Sequence, residues 1–155
     1  MKAAAFSIRH SFLLFQLGAL LFLFALLVGF LVSKFPVPRL GLSAHLLGVM
    51  QALFLILLGV LWPKLDLSQA ASRLGVALAL YGCFAAWLAN VLAAVWGAGN
   101  SMLPLAAGAA HGSTLQELTI ALGLRSAAAA LVALSLFLLW ALQRARAQHL
   151  RLLAT

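Results

Sequence analysis

The sequence predicts an all-α integral membrane protein: one domain, residues 1–155, folded as a bundle of four transmembrane helices. Two observations lead to this prediction. Hydrophobic residues make up 66% of the chain and charged residues 8%, whereas soluble domains have about 45–50% apolar and about 25% charged residues. Four apolar segments reach the roughly 20 residues that a helix needs to cross a bilayer. A water-soluble fold is excluded because the chain has too little polar surface, and the single cysteine, Cys83, excludes a disulfide scaffold.

The four segments are joined by short connections. The first carries no charge and is too long to be the apolar part of a cleaved signal peptide, so we expect it to be retained. The second ends at Pro63. The fourth opens with Thr114 and Glu117, which have the spacing of a capping box, and it is longer than a bilayer is thick, so it should tilt or project. The predicted spans are residues 12–32, 43–62, 74–96 and 115–142.

The basic residues indicate how the helices are oriented. One side of the predicted bundle has only Lys34 and Arg39 in its connections. Because Lys and Arg are retained on the cytoplasmic side, both termini are expected in the cytoplasm, with the bundle in the cell inner membrane. The formal net charge of +8 then predicts contact with anionic lipid in the bilayer, and no nucleic-acid partner. The other side carries Lys2, Arg9, Lys64, Arg73, Arg144, Arg146 and Arg151.

The third connection, residues 97–113, has an unusual composition. No Asp, Glu, Lys or Arg occurs between residues 74 and 116, and the connection is rich in Gly and Ala. A solvated loop is normally more polar. Two interpretations stay open: an apolar lid that folds over the end of the bundle, or a flexible Gly/Ala connector.

Polar side chains within the spans are candidates for function because burying them in a bilayer is costly. Gln51 follows His45 by six residues, about 9 Å along the helix, and Asn90 precedes Trp96 by six. Arg125 enters the fourth span from the same side of the membrane. These groups are therefore expected to converge in one half of the bundle. No Asp or Glu lies deep in a span, which argues against a proton-coupled transporter. The polar residues are Gln16, His45, Gln51, Tyr81, Asn90 and Arg125.

Small residues recur on the faces that carry these polar groups. On the second span, Gly48 and Ala52 share a face with His45, and we expect them to leave room for a flat ring beside the imidazole. On the third span the stripe suits either close helix packing or a bulky ligand. The stripe consists of Gly75, Ala79, Gly82, Ala86, Asn90, Ala93 and Gly97.

Several segments, in order, resemble the hydroxylaminobenzene mutase family, which are small four-helix membrane isomerases. They are residues 43–51 (SAHLLGVMQ), 61–63 (LWP), 89–99 (ANVLAAVWGAG), 102–104 (MLP) and 116–117 (QE). The resemblance extends from about residue 10 to 142. A more distant resemblance is to styrene oxide isomerase, through the spacing of His45, Pro63 and Arg73.

The resemblance implies a cofactor and an assembly. In the epoxide isomerase a ferric haem b is held by the histidine that corresponds to His45, in a homotrimer. His45 is thereby the expected axial ligand of the haem iron, in a site between subunits. Gln51 and Asn90 fall at positions that contact substrate in that family. Gln51 stands where both families usually carry Asn, and Asn90 stands where the epoxide isomerase carries Tyr, which favours the mutase.

The resemblance therefore implies an isomerase that converts arylhydroxylamines to ortho-aminophenols, with ferric haem as a Lewis acid. Asn90, Gln51 and Arg125 are the predicted catalytic residues, and His45, Gly48 and Ala52 are the predicted haem-binding residues. The substrate is expected to be a small aromatic molecule. Two alternatives remain: an epoxide isomerase on the same scaffold, and a non-catalytic haem or quinone anchor subunit.

Overall fold

A computed structural model describes the backbone of residues 2–153 and the side chains of residues 7–147. Four of its helices are long and apolar enough to cross a membrane, and no strand occurs in these ranges. The predicted all-α transmembrane bundle is thus confirmed. The helices are α1 (Lys2–Phe30), α2 (Pro38–Leu61), α3 (Gln69–Trp96), the short α4 (Pro104–Ala107) and α5 (Thr114–Leu153).

Helices α2, α3 and α5 begin earlier than the apolar runs that predict them, because proline or capping residues set their starts. Pro38 lies in the first turn of α2. Backbone N–H groups in a first turn have no acceptor within the helix, so proline fits there without loss of a hydrogen bond. The Ser68 side chain caps α3 by accepting from the amide of Ala71. The capping box of α5 lies one residue before the predicted one. Ser113 N donates to Gln116 Oε1 at 2.8 Å, and Gln116 N donates to Ser113 Oγ at 3.4 Å.

The small-residue stripe of α3 packs against neighbouring helices. A Cβ added at Gly75 would lie 2.7 Å from both Phe137 and Trp62, and one at Gly82 would lie 2.7 Å from Leu131. All seven residues of the stripe are buried. Of the two interpretations left open by the sequence, the structure shows close packing. A larger residue in the stripe would separate α3 from α5.

Residues 97–113 form a folded cap over one end of the bundle, and we call this end the cap end. Gly97 ends α3 with φ of 61°, a left-handed conformation that glycine adopts without steric cost. Ala98 and Ala107 are buried with Leu40, from the start of α2, in a small apolar cluster. The structure therefore shows a packed apolar lid rather than an unstructured connector.

The opposite end of the bundle carries Arg9, Lys64 and Arg73, and we call it the basic end. Arg9 and Arg73 line the same cavity, so the first part of α1 and the first turns of α3 lie together, as the charge pattern predicts. Arg144 and Arg146 are exposed near the other end of α5 from the cap. The side chains of Lys2 and Arg151 lie outside the described residues.

Candidate active site

His45 is oriented by a hydrogen bond to a neighbouring helix. It lies on α2, and its Nδ1 is 2.8 Å from the backbone oxygen of Ala25 on α1. A carbonyl oxygen only accepts, so Nδ1 is the donor in this hydrogen bond, and in the neutral ring the lone pair is on Nε2. The ring packs against Gly29, where an added Cβ would be 2.7 Å from Nδ1. The structure thus fixes both the tautomer and the orientation of the imidazole.

This arrangement fits an axial haem ligand. Metal-bound histidines almost always donate their second ring N–H to a carbonyl or carboxylate, which leaves the other nitrogen for the metal. His45 lines a groove between α1 and α2 of about 390 Å³ that is open to the outside of the bundle. The other lining residues are Leu26, Gly29, Phe30, Val32 and Leu42. An apolar groove beside an available imidazole nitrogen suits a macrocycle whose faces are apolar.

Gly48 and Ala52 are predicted to leave space for that cofactor ring. The space beside them is occupied by other parts of the protein. A Cβ at Gly48 would lie 2.6 Å from the Trp87 indole and 2.7 Å from Ala25 Cβ. Ala52 is fully buried. Both residues therefore pack against other parts of the bundle, and their role as haem-binding residues stays a prediction. The flat ring beside Gly48 is an indole, which stacks on Phe24 at 6.0 Å between ring centroids.

Gln51 is buried in the middle of the bundle and lines a second cavity, of about 330 Å³, between α2, α3 and α5. Its Oε1 has no hydrogen-bond partner among the described residues. A buried acceptor left without a partner costs about 1–3 kcal/mol, so such atoms usually mark a place where a ligand or water binds. The rest of the cavity is mainly apolar, with Leu47, Met50, Phe54, Cys83, Leu131 and Leu134.

Trp87 is a second buried group with an unused hydrogen-bonding atom. Its Nε1 is buried and lacks a partner within the described part of the chain. The indole lies against Gly48, which is one helical turn from Gln51 on α2, and it does not line the cavity of Gln51. We call Gln51 Oε1 and Trp87 Nε1 the orphaned pair. The sequence points to Gln51 but not to Trp87, because a tryptophan in an apolar helix is most often packing.

Asn90 differs from Gln51 because both ends of its amide are bonded within the bundle. Its Nδ2 donates to Ala86 O at 3.0 Å, and its Oδ1 accepts from Ser43 Oγ at 3.2 Å. Asn90 is 3% exposed. The bond to Ser43 joins α3 to α2, which is the helix-joining role that buried amides commonly have in membranes.

The expected convergence of polar groups does not occur. Gln51 lies beside Cys83, two turns of α3 away from Asn90. The cause is the early start of α2: Gln51 is 13 residues, about 20 Å, from Pro38, whereas Asn90 is only about 9 Å from the end of α3. The depth of Gln51 is underestimated when the span is counted from residue 43.

Arg125 is exposed on α5 and does not join the other predicted catalytic residues. It precedes the fully buried Ala127 by two residues, which is about 200° around the helix, so it points away from the bundle. The adjacent Ser126 accepts from the hydroxyl of Tyr81 at 2.8 Å.

Glu117 fastens the cap. Its Oε1 accepts from the amides of Gly99 at 2.7 Å and Gly112 at 3.2 Å. Its Oε2 accepts from the Ser101 amide at 3.3 Å and hydroxyl at 3.0 Å. One carboxylate thus binds both ends of residues 97–113. The predicted role of Glu117 in the helix cap is taken by Gln116, which leaves the carboxylate to order the lid.

The described residues contain no group of three or more His, Cys, Asp or Glu able to hold a bare metal ion. A haem iron needs only one such ligand from the protein, so His45 is sufficient for the predicted cofactor.

Comparisons with known proteins match most of the chain. The family model described as styrene oxide isomerase matches residues 10–143. Hydroxylaminobenzene mutase HabB of Ectopseudomonas oleovorans is 44% identical over 136 residues, which cover 88% of this chain and 83% of that protein. Hydroxylaminobenzene mutase HabA of the same organism is 40% identical over 126 residues, 81% of this chain and 93% of that protein. No solved structure is significantly similar to the chain.

Proposed function

The chain belongs to the styrene oxide isomerase family and is an isomerase, and from this premise we propose that it converts arylhydroxylamines to ortho-aminophenols. The similarity to two hydroxylaminobenzene mutases over most of the chain supports this choice of substrate. The observation that carries the proposal is the orphaned pair, Gln51 Oε1 and Trp87 Nε1. A hydroxylamine offers what each of these atoms lacks, because its N–H and O–H donate and its oxygen accepts.

The reaction changes no atom count and no net oxidation state. The N–O bond of the hydroxylamine breaks, and the oxygen forms a new bond to the ortho carbon of the ring. That carbon loses its proton, and the nitrogen gains one. Water would compete for the ring carbon if it reached the site. The cavity of Gln51 opens at the surface of the bundle, where its mainly apolar lining together with surrounding lipid would exclude water.

The residues of the chain orient the substrate. Gln51 Oε1 accepts from the hydroxylamine N–H, which aligns the N–O bond with the ring. Trp87 Nε1 donates to the departing oxygen, where negative charge develops as the bond breaks. Gln51 lines the cavity, whereas Trp87 lies one turn of α2 away against Gly48, so its N–H acts on the substrate only when the indole turns toward the cavity. Asn90 holds α2 and α3 in register through Ser43, and so acts on the site only through helix position.

His45 would hold a ferric haem b. Bound there, the haem would supply a Lewis-acidic iron that polarises the N–O bond. The chain's contribution is the Ala25 carbonyl, which keeps the proton on Nδ1 of His45. The groove of His45 and the cavity of Gln51 lie on different faces of α2, so a shared site would include a second copy of the chain, in line with the expected homotrimer.

The surroundings proposed for the enzyme follow from its surface. The exposed faces of α1, α2 and α5 are apolar, so the protein lies in a bilayer and an aromatic substrate can enter from the lipid. We place it in the inner membrane with both termini in the cytoplasm. Because the chain is an isomerase, the anchor-subunit alternative is set aside, and no nucleic-acid partner is proposed.

An epoxide isomerase is the second candidate, favoured by the description of the matching family model. The test is product analysis of the protein purified after haem-supplemented expression. Phenylhydroxylamine and styrene oxide are supplied separately under matched conditions. We expect 2-aminophenol as the main product and a higher kcat/KM for the hydroxylamine. A higher kcat/KM for styrene oxide, with the isomeric aldehyde as product, would replace the proposed reaction.

A further inference from the structure

A polar cavity at the basic end is not used by the proposed reaction. It has a volume of about 540 Å³ and lies between α1 and α3, lined by Arg9, His10, Phe12, Leu13, Gln16 and Arg73. The groove of His45 is at the other end of α1, near Gly29, which is 13 residues or about 20 Å from Gln16. The two sites are therefore separate.

One wall of this cavity is fixed by buried hydrogen bonds. His10 Nδ1 is 2.7 Å from Ser72 Oγ, and Trp62 Nε1 donates to the same oxygen at 2.8 Å. Ser72 is 2% exposed and Trp62 is 1% exposed. The imidazole is thus held by groups in the bundle interior, so the wall is a built feature and not a mobile surface side chain.

The cavity combines positive charge with an apolar floor. Arg9 and Arg73 bring two guanidinium groups, and no carboxylate lines the cavity within the described residues. Phe12 is 64% exposed and Leu13 36%, and both lie further along α1, toward the membrane centre. Guanidinium groups bind phosphate oxygens with two parallel hydrogen bonds. Apolar side chains directly below such groups are the surroundings that an acyl chain requires.

We propose that this cavity binds the phosphate headgroup of an anionic phospholipid of the phosphatidylglycerol class. The phosphodiester lies between Arg9 and Arg73, Gln16 contacts the glycerol, and an acyl chain runs along Phe12 and Leu13. Inorganic phosphate shares the anionic group but has nothing to place on the apolar floor. The lipid would stabilise the packing of α1 against α3 at this end.

The test uses the full chain purified in a neutral detergent. Thermal stability is followed while dioctanoyl-phosphatidylglycerol, dioctanoyl-phosphatidylcholine or inorganic phosphate is added. We expect the phosphatidylglycerol to bind at least tenfold more tightly than the other two. In R9Q/R73Q its affinity should fall about thirtyfold, as expected when two basic side chains near an anionic headgroup are lost.

The matched control is K64Q/R144Q, which removes the same charge from residues that do not line the cavity. It should keep the affinity within about threefold of the original protein. An equal loss in the control would show general surface attraction and overturn the proposal. Equal binding of the phosphatidylcholine, or of inorganic phosphate, by the unchanged protein would also overturn it, without reference to any variant.

Discussion

In the described part of the chain, buried polar groups have hydrogen-bond partners in one region of the bundle and lack them in another. At the basic end, His10, Ser72 and Trp62 form a continuous hydrogen-bonded chain, with distances of 2.7 and 2.8 Å. In the middle of the bundle, Gln51 Oε1 and Trp87 Nε1 are as deeply buried and have no partner among the described residues. The bonded groups stabilise helix packing. The orphaned pair costs stability in the empty chain, which is the usual sign of a site that a ligand completes.

The two tryptophans show the contrast most simply. Trp62 and Trp87 both lie against a glycine of a neighbouring helix, Gly75 and Gly48 respectively. Of these two, only Trp62 has a hydrogen-bond acceptor for its N–H. The same side chain thus has a packing role in one place and an unused hydrogen-bonding capacity in the other. Mutations that remove single hydrogen-bonding groups should separate the two regions, since one set lowers stability and the other lowers turnover.

The largest effect is expected from H45A. Because Nε2 of His45 is the proposed axial ligand, the variant should lose the Soret band and fall at least a thousandfold in kcat/KM. The measurement is the visible spectrum and phenylhydroxylamine turnover after haem-supplemented expression. H111A is the control, because His111 is exposed in the cap, and it should keep both properties. A stoichiometric Soret band with full activity in H45A would rule out this ligand.

A smaller, purely structural effect is expected from E117A. Four donors of the cap lose their charged acceptor, which should lower the unfolding free energy by about 2 kcal/mol and Tm by about 5 °C. Turnover per folded molecule should change less than about threefold, because Glu117 is hydrogen-bonded within the protein and has a structural role. T119A is the control, because the exposed Thr119 hydroxyl bonds only within its own helix. An unchanged Tm in E117A would show that the carboxylate does not fasten the cap.

The matched pair W87F and W62F is expected to give the smallest changes and the sharpest contrast. Removing the N–H of Trp87 leaves no protein acceptor behind, so Tm should stay within about 2 °C while kcat/KM falls about tenfold. Removing the N–H of Trp62 takes a hydrogen bond from Ser72, so the unfolding free energy should fall by about 1 kcal/mol with turnover unchanged. The reverse pattern would contradict the assignment of Trp87 to the site.

The sequence is sufficient to predict the bundle, because a transmembrane helix is specified by local properties: apolar length, absence of charge and flanking basic residues. It also points to His45 and Gln51. It does not predict which polar groups meet, because that depends on the relative register and rotation of helices. Because α2 starts at Pro38, Gln51 lies at a different depth from Asn90. Because of the rotation of α5 about its axis, Arg125 points outward. The Ala25 carbonyl, which orients His45, belongs to the backbone, so no residue type in the sequence could have indicated it.

The most direct test of the central claim compares Q51L with N90L in one experiment. Both variants replace a buried amide by an apolar side chain of similar size, and Tm and kcat/KM for phenylhydroxylamine are measured for each. We expect Q51L to keep or raise Tm and to lose about tenfold or more in kcat/KM. N90L should lose several degrees in Tm, because Ser43 is left without its acceptor, while the folded fraction keeps its turnover. Full kcat/KM in Q51L, or a loss of turnover confined to N90L, would contradict the claim that the orphaned groups bind substrate and the bonded groups hold the helices.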